Sequence, residues 1–232
     1  VSLPGGCAIG MRPVDLHIDA LKKMGAEIDV SNGYIHAKTK KLIGTKIVFP
    51  TKTVTGTENI IMAACLAEGV TVIENSANEP EITDLCIFLN KMGAQIKGYG
   101  TDTVTIKGVS SLKGTSHKPL PDRIEAGTFM IAAVITRGDI EIKNIIPEHC
   151  NAVIEKLLSC GSEIKINKDS VRIKMNRRPK SVDVETNAYP HFPTDMQAQM
   201  TALNSIANGT SYVRENIFEN RFMHVAELRR LG

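Results

Sequence analysis

The sequence predicts an α/β fold of repeated strand-helix-strand-strand units, with helices at the centre and sheets outside. Three observations carry this. A helix-glycine-strand pattern returns with a period near 70 residues. A second such pattern recurs about halfway between its copies. Finally, the helical run Asn59-Ile60-Ile61-Met62-Ala63-Ala64-Cys65-Leu66-Ala67 is apolar nearly all round, which suits burial in the middle of a domain better than packing on its outside.

The first pattern is Leu21-Lys22-Lys23-Met24-Gly25-Ala26-Glu27-Ile28. It returns as Leu89-Asn90-Lys91-Met92-Gly93-Ala94-Gln95-Ile96 and as Leu157-Leu158-Ser159-Cys160-Gly161-Ser162-Glu163-Ile164, and it begins again at Leu228-Arg229-Arg230-Leu231-Gly232. The glycines at 25, 93, 161 and 232 are 68, 68 and 71 apart. Each copy reads as a helix closed by a glycine and followed by a strand. The second pattern leads from Gly56 through Gly69 into the strand 70–75. It leads again from Gly127 through Gly138 into 139–144, and from Asp195 through Gly209 into 210–216. Alternating stretches at 34–37, 46–49, 103–106 and 171–174 read as half-buried strands. Self-similarity at a fixed period means stacked copies of one supersecondary unit.

Residues 111–121 hold Gly, Ser, Thr and two Pro without periodicity, and they read as a linker. The expected domains are therefore 1–120, a first lobe carrying the cysteine loop, and 121–232, a second lobe. Because the chain opens inside the Cys7 loop and stops within a helical pattern, both lobes are expected to be partial and the sequence an excerpt.

Net charge of +3 and 4% aromatic residues argue against a nucleic-acid surface, and the basic stretch 174–180 reads as a solvated turn. No apolar run approaches the roughly 18 residues a membrane span needs. Five cysteines without CxxC spacing fit neither a disulfide framework nor a zinc site, which points to a reducing cytoplasm. No metal or organic cofactor is called for.

The chemistry-bearing residues fall in four clusters. Cys7 sits among Gly5, Gly6 and Gly10, between Pro4 and Pro13, with Arg12 five residues on. A pliable loop and a nearby cation favour a reactive thiolate; the alternative is a glycine-rich turn that happens to hold a cysteine. Cys65 and Cys86, inside apolar runs, read as structural. Asp195 follows Pro193-Thr194 at a helix start, where it either caps the helix or serves as a base. Asp122, after Pro121, either forms an interdomain ion pair or serves the helix dipole. Arg221, in Phe218-Glu219-Asn220-Arg221, has the fork geometry to clamp a phosphate or carboxylate. His17 either caps the first helix, 16–24, or touches a ligand.

The stretch Leu3-Pro4-Gly5-Gly6-Cys7-Ala8-Ile9-Gly10-Met11-Arg12-Pro13-Val14-Asp15-Leu16-His17 resembles the catalytic loop of the bacterial UDP-N-acetylglucosamine 1-carboxyvinyltransferases, of the enolpyruvyl transferase family. Glu79-Pro80-Glu81-Ile82, Phe192-Pro193-Thr194-Asp195-Met196-Gln197-Ala198-Gln199 and Phe218-Glu219-Asn220-Arg221-Phe222-Met223-His224 resemble it too, in order along the chain. The resemblance implies two inside-out α/β barrel domains of three repeats each. It also implies transfer of the enolpyruvyl group of phosphoenolpyruvate to the 3′-hydroxyl of UDP-N-acetylglucosamine, with release of phosphate, at the start of peptidoglycan synthesis.

By the same resemblance, Cys7 is the catalytic thiol and the target of fosfomycin, Arg12 binds the phosphate or carboxylate of phosphoenolpyruvate, and Asp195 is the base at the sugar hydroxyl. Pro13, Val14, Asp15 and Leu16 line the uridine pocket. Thr53, Val54 and Thr55 hold the diphosphate, where family members often have Ser-Val-Gly. Ile217 and Phe218 contact the sugar, and Asp122 and Arg221 help close the domains. The family's other substrate-binding residues, an N-terminal Lys-Asn pair and further arginines, do not appear, so the excerpt alone is expected to be inactive. Two rival readings are the related shikimate-pathway enolpyruvyl transferase and a non-catalytic paralogue that binds the nucleotide sugar.

Overall fold

The structure, a computed structural model, describes residues 1, 2 and 14–232, which form two compact units divided between Pro119 and Leu120. Cys7, Arg12 and Pro13 lie outside the described residues.

In the first unit, α1 (Asp15–Lys23) leads into a hairpin of β1 (Glu27–Ser31) and β2 (Tyr34–Lys38). Then come β3 (Lys46–Val48), α2 (Val54–Ala64), β4 (Val70–Glu74), α3 (Pro80–Lys91), β5 (Gln95–Lys97) and β6 (Thr103–Lys107). The sheet order is β3-β4-β6-β5. β3 and β4 run parallel, as the helical crossover α2 permits, and the remaining pairs are antiparallel. Period-two alternation places Ile47, Ile73, Ile96, Val104 and Ile106 on one buried face. That face packs with Ile60, Ile61 and Ala64 of α2 and Ile82, Cys86 and Leu89 of α3.

The second unit opens with α4 (Arg123–Ile135) and β7 (Asp139–Lys143), then a 3-10 turn (Pro147–Cys150) and α5 (Asn151–Ser159). β8 (Glu163–Ile166) and β9 (Ser170–Lys174) complete an antiparallel sheet in the order β7-β9-β8. β10 (Val184–Glu185), a 3-10 turn (Thr194–Met196), α6 (Gln197–Ile206), β11 (Val213–Arg214) and α7 (Met223–Arg230) follow, with β10 and β11 parallel. α4 touches α5, α6, β7 and β9, so it is the central helix of this unit.

The repeat is visible in the element order. β3-α2-β4-α3-β5-β6 is one full copy; α4-β7-α5-β8-β9 is the same copy without its opening strand, where residues 111–121 run instead. The period glycines Gly25, Gly93, Gly161 and Gly232 all take left-handed backbone, with φ of 93°, 104°, 93° and 97°. That conformation lets a helix end and the chain turn into a strand, which explains why glycine recurs there. Asn75 and Asn144, equivalent positions after β4 and β7, are also left-handed, at 56° and 59°.

Two expectations need correction. The central helices are not buried all round: Met62 and Leu66 are each 49% exposed, and Phe129 on α4 is 55% exposed. Each of these helices packs its sheet and neighbouring helices on one side and leaves the other side open. The strand expected at 210–216 shrinks to Val213–Arg214. Its flanking amides are taken by side chains, Tyr212 N–H by Asp183 Oδ1 and Asn216 N–H by Thr186 Oγ1.

The linker stretch 111–121 has no helix or strand, yet it is held at several points. Lys113 N–H bonds the carbonyl of Met92, His117 Nε2 donates to Asp84 Oδ1 at 2.9 Å, and the His117 ring lies 5.2 Å from that of Phe88. The segment up to His117 is thus fastened to α3.

Cys65, Cys86, Cys150 and Cys160 are free and buried. Burial pushes the Cys86 thiol up to about 12 and the other three to about 11. Among the described residues no helix is long and apolar enough to cross a membrane, and no three side chains are grouped to hold a metal ion.

Candidate active-site segments

In the first unit the candidate residues occupy the starts of two touching helices. Val14 precedes α1, exposed Asp15 begins it and stabilises its positive end, and Leu16 packs against the core. Thr53 is the N-cap of α2, accepting a hydrogen bond from Gly56 N–H at 3.2 Å, and Val54 and Thr55 form the exposed first turn. His17 bridges the two helices. Its Nδ1 accepts from Asn59 Nδ2 at 3.0 Å, which leaves the proton on Nε2, 3.5 Å from Thr55 Oγ1. His17 therefore ties α1 to α2 and does not cap its own helix. Burial holds its imidazole below the usual histidine range, against the opposing pull of Asp15. Beside this turn, Lys52 donates to Ser76 O at 2.8 Å and to Asp102 Oδ1 at 2.5 Å.

In the second unit Asp195, Ile217, Phe218 and Arg221 converge. Pro193 brings the chain in extended, and Thr194 and Asp195 then turn through one 3-10 turn before α6. Asp195 makes no capping bond, which removes that reading. It accepts from Arg221 Nη2 at 2.7 Å, while its own side chain stays 59% exposed. Arg221 is only 19% exposed; its Nη1 donates to Thr194 Oγ1 at 3.0 Å and its guanidinium lies over the Phe218 ring, 5.2 Å from the centroid. A carboxylate open to solvent and gripped by a largely buried guanidinium can take a proton from a bound hydroxyl and stay oriented as it does so. Ile217 is exposed beside it. His224 at the start of α7 is held below its ordinary range by burial and by the Arg221 charge. Asp122 is the N-cap of α4, accepting from the N–H groups of Ile124 and Glu125.

The residue that sequence reasoning missed is Glu215. Its Oε1 accepts from Thr186 Oγ1 at 2.9 Å, from Thr194 Oγ1 at 3.0 Å, and from the N–H groups of Ile217 and Phe218 at 2.9 and 3.2 Å; its Oε2 accepts again from Thr194. The available signal was its place, immediately before the repeat position Asn216.

A family model described as EPSP synthase (3-phosphoshikimate 1-carboxyvinyltransferase) matches residues 1–232. UDP-N-acetylglucosamine 1-carboxyvinyltransferase 1 of Caldanaerobacter subterraneus subsp. tengcongensis is 56% identical over 232 residues, which is 100% of this chain and 56% of that protein. The proteins named UDP-N-acetylglucosamine 1-carboxyvinyltransferase in Ruthia magnifica subsp. Calyptogena magnifica and Geobacter metallireducens are 58% and 57% identical over 233 residues, with the same coverage. The chain thus spans little more than half the length of these relatives.

Among solved structures, the enolpyruvyl transferase NikO from Streptomyces tendae superposes with a TM-score of 0.81 at 20% identity, over 95% of this chain and 55% of that one. EPSP synthase from Acinetobacter baumannii gives 0.64 at 21% identity, over 97% and 55%. These likenesses show the fold, and the match of the family model over all 232 residues settles membership: the chain belongs to the EPSP synthase (3-phosphoshikimate 1-carboxyvinyltransferase) family.

Proposed function

We propose that the protein containing this chain transfers the enolpyruvyl group of phosphoenolpyruvate to the 3′-hydroxyl of UDP-N-acetylglucosamine, releasing phosphate and opening peptidoglycan synthesis. The observation that carries this reading is the 56–58% identity, along the whole chain, to proteins named for that transfer. The family description names a different acceptor, 3-phosphoshikimate, which is the second reading. The nucleotide-sugar reading is favoured because the relatives at 56–58% identity carry its name, whereas EPSP synthase of Acinetobacter baumannii is only 21% identical.

The chemistry divides among the residues as follows. The acceptor oxygen adds to C2 of phosphoenolpyruvate, its proton passing to Asp195, while C3 receives a proton from an acid, the role given to Cys7. The resulting tetrahedral ketal loses phosphate from C2 and the C3 proton, which restores the carbon–carbon double bond. Arg12 and Arg221 offset the anionic charge of the substrates. Pro13, Val14, Asp15 and Leu16 receive the uridine, Thr53, Val54 and Thr55 the diphosphate, and Ile217 and Phe218 the sugar; Asp122 acts with Arg221 in closure. The same reading places the protein in the cytoplasm and makes Cys7 the residue that fosfomycin alkylates.

The test is phosphate release by the protein at its relatives' full length, with phosphoenolpyruvate and either UDP-N-acetylglucosamine or 3-phosphoshikimate as acceptor. Turnover with the nucleotide sugar alone is expected. Turnover with 3-phosphoshikimate alone establishes the second reading, and binding of the nucleotide sugar without turnover overturns both in favour of a non-catalytic role.

A further inference from the structure

We propose that Glu215 is the positioning residue that sets the proposed base: it fixes Thr194, and through Thr194 the Arg221 grip on Asp195. This rests on the functional reading above, because it matters only if Asp195 handles the acceptor hydroxyl. The geometry runs in one direction. The hydroxyl of Thr194 has a single proton, and both Glu215 oxygens lie 3.0 Å from it. That proton is therefore committed to the carboxylate, and the lone pairs of Thr194 Oγ1 are left for Arg221 Nη1 at 3.0 Å. The other arm of the same guanidinium reaches Asp195 at 2.7 Å.

Glu215 also gathers the rest of the cluster. Its Oε1 accepts from Ile217 N–H and Phe218 N–H, which folds the chain back and sets the Phe218 ring beneath the Arg221 guanidinium. Thr186, the fourth donor, passes the constraint to β10: its hydroxyl accepts from Asn216 N–H, and its own N–H bonds the carbonyl of Arg214 on β11. Three separated segments, around 186, 194 and 215–221, meet on one carboxylate. Hydrogen bonds to a charged acceptor are roughly twice as strong as neutral ones, so one anion orders all three. Glu215 does not touch the reacting atoms in this scheme; it determines where the groups that do so stand.

The experiment measures kcat and KM in the protein of full relatives' length for Glu215→Gln, Glu215→Ala, Thr194→Val and the Thr194→Val/Glu215→Ala double variant. Thermal melts are taken in parallel. Wild-type turnover with UDP-N-acetylglucosamine, lowered about 100-fold or more in Asp195→Asn, first establishes the underlying reading; without it that reading fails, whatever Glu215 does. Given turnover, Glu215→Ala is expected to lower kcat by about 30-fold or more. Glu215→Gln keeps the Oε1 acceptor and is expected to stay within about fivefold of wild type. Thr194→Val is expected to lose about tenfold or more in kcat with KM changed less than threefold, and the double variant to be no slower than Glu215→Ala alone. A kcat for Glu215→Ala within threefold of wild type overturns the proposal, as does a double variant in which the two losses multiply. If Glu215→Ala gives no cooperative melt, Thr194→Val and Glu215→Gln decide: a kcat for Thr194→Val near wild type, or a Glu215→Gln loss as deep as that of Asp195→Asn, overturns it equally.

Discussion

Arg221 and Asp195 form a side-chain pair, 2.7 Å apart, in which the cation is four-fifths buried and the anion is mostly in solvent. The asymmetry suits the role proposed for Asp195, a base that meets substrate while its partner stays fixed by Thr194 and Phe218. Asp195→Asn keeps the shape but cannot accept a proton, and kcat for phosphate release is expected to fall by about 100- to 10,000-fold. Arg221→Lys keeps the charge but cannot reach Thr194 and Asp195 together, so a loss of about tenfold or more is expected. Equal activity of Arg221→Lys and wild type in the same assay would show that the fork is not used.

The thiols separate by burial. With Cys65, Cys150 and Cys160 raised to about 11 and Cys86 to about 12, only about 0.1% or less of each is thiolate at pH 8. Treatment of the native chain at pH 8 with iodoacetamide is expected to leave these four unlabelled by mass spectrometry, and guanidinium is expected to expose them all. The proposed reactivity of Cys7 predicts a single adduct in the native state. Because the folded thiols titrate above the ordinary 9.0, their contribution to stability is whole below about pH 9 and is lost as pH rises toward 11. A urea midpoint that falls across that window checks the sign.

His17 works in the opposite direction. Its folded imidazole sits below the ordinary 6.5, so its contribution is whole above about pH 6.5 and is lost as pH falls through the lowered value. His224, lowered by burial and by Arg221, adds to the same trend. His17→Gln retains an acceptor for Asn59 and does not titrate. It is expected to show a smaller drop in urea midpoint between pH 7 and 5 than wild type; an identical drop would exclude His17 as a cause.

Two glycines are expected to differ sharply in their tolerance of alanine. A Cβ at Gly108 lies 1.7 Å from the carbonyl oxygen of Ala67 and 2.8 Å from its carbon, in backbone held by Gly108 N–H to Gly69 O and Val109 N–H to Cys65 O. Gly108→Ala is expected to cost about 3 kcal/mol or more by urea denaturation. A Cβ at Gly127 meets the flexible end of Met196, with Cε at 2.9 Å and Sδ at 3.3 Å. Helix propensity regains about 1 kcal/mol there, so Gly127→Ala is expected to stay within about 1 kcal/mol of wild type.

Much of the fold is legible in the sequence because the repeat is written in glycines whose conformation is forced. Gly25, Gly93, Gly161 and Gly232 are all left-handed, and the strands that follow the first three are present. Harder to read are features that depend on side chains far apart in the chain. Nothing around Thr210 announces that Asp183 and Thr186 will take the amides of a would-be strand. In the site, charge and family likeness single out Asp195 and Arg221, but Glu215 looks like one more surface acid. The role proposed for it rests on four donors from three segments, and that convergence exists only after folding.

The fastening of His117 to Asp84 decides where the chain can be divided. A fragment ending at Gly114, inside the stretch 111–121, strips Asp84 of its imidazole and uncovers the Phe88 ring. A leading fragment meant to stand by itself must run through His117, leaving Lys118 to Pro121 as the stretch to sever. Trypsin will not find that place, since the one lysine within it is followed by proline.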